Sequence, residues 1–142
     1  MRKSIIASLL MIMIISLGYL SSCHSNLDIK TAQYAVNGQK LYTTHCQNCH
    51  GAKGEGLGKL YPPLTDANFL KQNRAQLSRI IKHGMEGEIV VNGQSFNQKM
   101  PANPRLSNMD IAYILTYVTT HFGDNTEIYA EDEVIKNLTQ SN

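Results

Sequence analysis

The sequence predicts an all-α domain that carries one small β-hairpin. Three observations predict it. Apolar residues recur at three- and four-residue intervals in three stretches, residues 31–45, 73–83 and 107–121. Two of these stretches stop at a glycine, Gly84 and Gly123. Strand character is confined to residues 89–96, around Asn92-Gly93, and nothing in the chain alternates strand with helix.

The chain opens on Met1-Arg2-Lys3 and then runs apolar from Ile5 to Leu20, 16 residues. A charged start followed by such a run has the layout of a secretory leader. It is short for a membrane span, which needs roughly 20 residues. The run ends Leu20-Ser21-Ser22-Cys23. Leucine, two small residues and cysteine resemble a bacterial lipoprotein processing site. That resemblance implies that residues 1–22 are cleaved and that Cys23 is lipidated. Several acyl chains hold a protein stably where one holds it only marginally. Residues 23–30 then read as a tether, residues 31–123 as the folded domain and residues 124–142 as an acidic tail. Removal of 1–22 leaves 120 residues, enough for one small domain.

Residues 31–45 place Ala35, Gly38, Leu41 and Tyr42 on one helical face. A glycine inside a helix costs about 1 kcal/mol against alanine, so Gly38 points to a second helix crossing closely there. Cys46-Gln47-Asn48-Cys49-His50 follows at once. Two thiols three positions apart with an adjoining imidazole form the attachment sequence for covalent haem. Each thiol can form a thioether with one vinyl group, and the histidine supplies the proximal iron ligand. Closed structural zinc sites need about four ligands, and the third cysteine, Cys23, lies at the leader. A redox dithiol would sit in a βαβ setting.

Residues 51–63 hold four glycines and two prolines, and read as a loop folded over the haem edge. Asp66 can cap a short turn through Leu70. Residues 73–83 follow as the second helix, with Leu77, Ile80 and Ile81 apolar. Asn92-Gly93 favours a type I′ turn between short strands. Ser107 with Asp110 matches a capping box ahead of the last helix, where Ile111, Ile114, Leu115 and Val118 form the stripe. The polar segment beyond Gly123 reads as a frayed helix or loose tail.

The far side of the iron has several candidate ligands. Met100, in Gln98-Lys99-Met100-Pro101, lies on a loop that can turn a thioether toward the haem. Met85, Met109 and His83 are the alternatives, with His45 and His121 less well placed.

Over residues 32–122 the chain resembles the class I c-type cytochromes. Gly38 and Tyr42 precede Cys46 at the spacing of that family's first helix, and Ile114 and Tyr117 match the last helix that crosses it. Pro62 and Leu64 match the segment whose proline carbonyl bonds the proximal histidine, and Met100-Pro101 matches the distal loop. The resemblance implies a cytochrome c-like helical fold around one haem c. It implies Cys46, Cys49, His50, Pro62 and Met100 as the cofactor-binding residues, with His50 and Met100 on the iron. It also implies haem attachment outside the cytoplasmic membrane, in keeping with the leader.

The functional expectation is a membrane-anchored one-electron carrier facing the periplasm or cell exterior. Its partners would be redox proteins: a quinol-oxidising complex or dehydrogenase as donor, a terminal oxidase or reductase as acceptor. A fixed subunit of a larger oxidoreductase is the alternative, and a haem enzyme or sensor with an open distal site a more distant one. Residues 28–122 carry ten Lys or Arg and six Asp or Glu, whereas the tail carries five acids and only Lys136. No basic cluster is dense enough for nucleic acid. Lys53, Lys59 and Lys99 are expected to border the exposed haem edge.

Overall fold

The computed structural model describes Met11 and residues 28–140. Apart from Met11, the leader lies outside these, as do Cys23 and the first part of the tether. The elements in order are α1 (Ile29–His45), α2 (Gln47–His50), α3 (Ala67–Gln72), α4 (Arg74–His83), β1 (Ile89–Val91), β2 (Gln94–Phe96), α5 (Asn108–His121) and α6 (Glu131–Thr139).

Helix α1 starts two residues earlier than its periodicity suggests. Asp28 caps it, accepting the Thr31 amide at 3.0 Å, and a carboxylate at that end also suits the helix dipole. The expected tether therefore loses residues 29–30 to the helix and Asp28 to its cap. Helix α5 starts at Ser107 with both halves of a capping box in place. Its residues Ile111, Ala112, Ile114 and Leu115 are almost wholly buried and form the centre of the core.

The crossing of α1 over α5 organises everything else. Gly38 is buried at the contact. A Cβ there would lie 2.6 Å from the Tyr113 carbonyl carbon and 2.8 Å from the Tyr117 Cβ. Only a bare backbone lets the two helices approach so closely. Tyr34 meets Tyr113 edge-on at 4.8 Å on one side of the crossing, and Tyr42 meets Tyr117 at 5.3 Å on the other.

The hairpin pairs Ile89 with Phe96 and Val91 with Gln94. Asn92 and Gly93 both take positive φ, 49° and 73°, as a type I′ turn requires. Asp66 ties this turn to the body. One of its oxygens caps α3 through the Phe69 amide, and the other accepts the Asn92 amide, each at 3.0 Å. These N–H donors hold its carboxyl below the ordinary aspartate range. A depressed carboxyl stabilises the fold above its unfolded value, about 3.9, and loses that contribution as pH falls through its folded value. Asp66→Ala is therefore expected to be less stable than wild type at neutral pH, with the gap closing below about pH 4. Urea unfolding of both proteins across that range measures it, and a gap that does not change with pH would deny Asp66 this role.

The acidic C-terminal segment departs most from the sequence reading. It is not loose. Tyr129 and Val134 are fully buried, and α6 packs on α4 and α5. The periodicity of this segment is short and its composition polar, which hides the few residues that anchor it. No helix among the described residues is long and apolar enough to cross a membrane.

Candidate haem site

The attachment motif is itself one turn of helix. The amides of Cys49 and His50 both bond to the Cys46 carbonyl, and Gly51 N–H returns to Gln47. This turn sets both thiols and the imidazole along one wall of a deep cleft. Tyr42 and Pro62 line it beside Cys46, Cys49 and His50, and so do Ile114, Leu115 and Val118 of α5. Leu77, Ile80 and Ile81 of α4 line the same cleft, as do Met85, Met100 and Phe96. The lining is overwhelmingly apolar, as a site for a large flat apolar group needs to be.

His50 is buried, and its Nδ1 lies 3.0 Å from the Pro62 carbonyl oxygen. A carbonyl can only accept, so Nδ1 carries the proton and Nε2 keeps its lone pair. Burial pulls the imidazole below its ordinary value, and the Pro62 bond partly offsets this. The ring is thus a neutral, oriented donor, the form in which histidine binds a metal. The loop that supplies Pro62 is held back on the motif. Gly56 N–H bonds to the His50 carbonyl at 2.8 Å, and Leu64 N–H to Gly54 at 2.7 Å. The Tyr42 hydroxyl donates to the Gly51 carbonyl at 2.7 Å, and burial raises its own ionisation well above the phenol range.

Cys46 and Cys49 are not joined in a disulfide. Burial, and then neighbouring Cys49, push the Cys46 thiol up to about 11. Among the described residues no group of three or more His, Cys, Asp or Glu forms a metal site. The donor set fits covalent haem: two thiols, one imidazole lone pair, and two methionine thioethers lining the same cleft.

Met100 lines the same cleft. Its backbone pairs with that of Met85 through both N–H···O bonds, at 3.0 and 2.9 Å. Residues opposed in this way point their side chains to the same face, and both methionines line the cleft. Gly84 makes this approach possible. It has φ of 78°, and a Cβ there would sit 2.5 Å from the Met100 carbonyl oxygen. The sequence marks Gly84 only as a helix stop, because nothing local shows which strand passes it. His83 lines a neighbouring surface groove and not the cleft. His45 and His121 are exposed, and Met109 packs into the core.

At the mouth, Lys99 lines the cleft and pairs with Glu86. Its charge is thus partly matched, although an exposed pair contributes little to stability. Lys53 and Lys59 are exposed on the loop over the motif.

Comparisons with known proteins agree with this geometry. A family model described as cytochrome c matches residues 35–122. Cytochrome c-552 of Thermus thermophilus is 30% identical over 97 residues, 66% of this chain and 73% of the relative. A second cytochrome c-552 from the same organism is also 30% identical over 97 residues, and there the match spans 65% of the relative.

Proposed function

The chain belongs to the cytochrome c family and carries covalently bound haem c, and from that premise we propose that it is a membrane-anchored one-electron carrier of a respiratory chain, with His50 and Met100 as the iron ligands. When bound, the haem supplies an iron that alternates between Fe(III) and Fe(II). The chain's own work is to hold that iron in one unchanging environment. Cys46 and Cys49 fix the group to the wall. Pro62 keeps the His50 ring in one orientation and strengthens it as a ligand. Met100 offers a thioether, which favours the reduced state and raises the potential. The apolar walls exclude water. Little then has to rearrange when an electron arrives or leaves.

The observation that carries this reading is the shared cleft. It brings together a buried imidazole beside two thiols and a methionine on a loop pinned at its backbone. Optical spectra of the oxidised and reduced protein test it, together with a carbon monoxide challenge. A closed His/Met site shows the weak near-infrared thioether–iron band when oxidised and binds CO slowly when reduced. Colour lost from the denatured chain in acid–acetone would rule out covalent attachment.

Anchoring through Cys23, with the domain facing the periplasm or cell exterior, rests on the leader and the Leu20-Ser21-Ser22-Cys23 sequence. Donor and acceptor are proposed as a quinol-oxidising complex or dehydrogenase and a terminal oxidase or reductase. The exposed Lys53 and Lys59 beside the motif suit an acidic partner surface. Electron-transfer rates with such a partner are expected to fall as salt rises from about 10 to about 200 mM, values chosen to span about 30 Å to under 10 Å of screening length. Stopped-flow reduction at several ionic strengths measures this, and a rate indifferent to salt removes steering from the account.

A further inference from the structure

Among the described residues of the C-terminal segment none lines the cleft, yet Tyr129, Val134 and Asn137 are buried in the fold. We propose that residues 124–140 act as a brace that sets the position of the distal sulfur, with Tyr129 as the positioning residue. The proposal rests on Met100 as the axial ligand.

Helix α4 is the intermediary. It has only ten residues, too few to be stable without tertiary packing. Leu77, Ile80 and Ile81 give one face to the cleft. The adjoining side, through Arg74 and Ser78, meets the C-terminal segment, while Ala75, Gln76 and Arg79 face outward. The Tyr129 ring lies 4.3 Å from the Arg74 guanidinium carbon. Its hydroxyl donates to the Arg74 carbonyl and accepts from Asn137 Nδ2 at 3.2 Å. Its amide donates to Thr116 Oγ1 of α5 at 2.9 Å. Glu133 takes Arg74 in a two-pronged pair, at 2.7 and 2.8 Å, the strong geometry for such pairs. Ser78 is fully buried beside the Tyr129 hydroxyl. Tyr129 thus pins α4 to α5 along the flank of the cleft-facing stripe.

The far end of α4 carries the distal loop. Asn103 N–H bonds to the Ile81 carbonyl at 3.1 Å. The Lys82 ammonium donates to the carbonyls of Pro104 and Leu106, at 3.0 and 2.6 Å. Gly84 and Met85 follow at once, and Met85 holds Met100 through its backbone. These ties between the Met100 loop and the body all run through the last turn of α4 or the two residues after it. A displacement of α4 therefore moves Met100 relative to His50, whose wall is built separately by α2 and the loop to Pro62.

The test compares holoprotein carrying Tyr129→Ala, Tyr129→Phe and, as a control on the exposed side of the same segment, Ile135→Ser. Each is read by CO association with the reduced protein and by the near-infrared band followed beside far-ultraviolet circular dichroism on heating. Tyr129→Ala is expected to bind CO at least about tenfold faster while its helix content is native, and to lose the band at a lower temperature than its helices. Tyr129→Phe moves the same way by a smaller factor and keeps the test open if the alanine variant does not fold. Ile135→Ser behaves as wild type. If both Tyr129 variants bind CO as slowly as wild type, and lose band and helix together, the segment only adds stability and the brace is overturned. A wild-type protein that lacks the band and binds CO rapidly would instead overturn Met100 ligation, and the brace with it.

Discussion

Gly38→Ala is expected to destabilise the holoprotein by about 3 kcal/mol or more, the upper range for forcing a methyl group into a packed contact. Helix propensity alone argues the other way, since alanine is favoured by about 1 kcal/mol in a helix interior. The contact decides the sign. The added methyl would lie 2.6 Å from the Tyr113 carbonyl carbon and 2.8 Å from the Tyr117 Cβ. Neither is the flexible end of a side chain, so α1 and α5 must part. Parting them disturbs Tyr42 against Tyr117 and the helix end from which Cys46 follows. Guanidinium unfolding, followed by haem absorbance and helical circular dichroism, measures the loss. Unchanged or increased stability would mean that the crossing is looser than its backbone contact implies.

Met100→Ala is expected to open the iron. The reduced variant should bind CO readily, the near-infrared band should vanish, and the potential should fall by on the order of 100 mV, a modest part of the range that axial ligands command. The fold should survive, because the two bonds between Met100 and Met85 are made by backbone. Loss of a half-buried methionine side chain costs about 2 kcal/mol, at the low end of such truncations. Met85→Ala, in which the neighbouring sulfur is removed, should keep the band. If Met100→Ala retains the band and the double variant loses it, Met85 is the ligand and the assignment to Met100 is wrong. Spectroelectrochemical titration of the three variants gives both readouts.

Much of this molecule is legible in the chain because its signals are local. The motif from Cys46 to His50 is contiguous, the capping box spans four residues, and Asn92-Gly93 dictates its own turn. Gly38 reads as a crossing point because a glycine inside a good helix needs a reason. The role of Gly84 does not show, since it depends on a strand sixteen residues later passing within contact of its backbone. The C-terminal segment misleads for a similar reason. Its polar composition looks solvated, while its attachment rests on one aromatic ring, one valine and a salt bridge to Arg74, 59 positions away. The true start of α1 escapes the periodicity by two residues because Ile29, largely exposed, gives no periodic signal.

Helix α1 also fixes a height. Its 17 residues span about 26 Å at 1.5 Å per residue, with the capped end nearest Cys23 and the haem motif at the other. From an acylated Cys23 to Ile29 the chain can extend about 20 Å at most. The cofactor of an anchored molecule would then ride no more than about 45 Å above the lipid surface. Any integral complex that exchanges electrons with it must present its own redox centre within that ceiling.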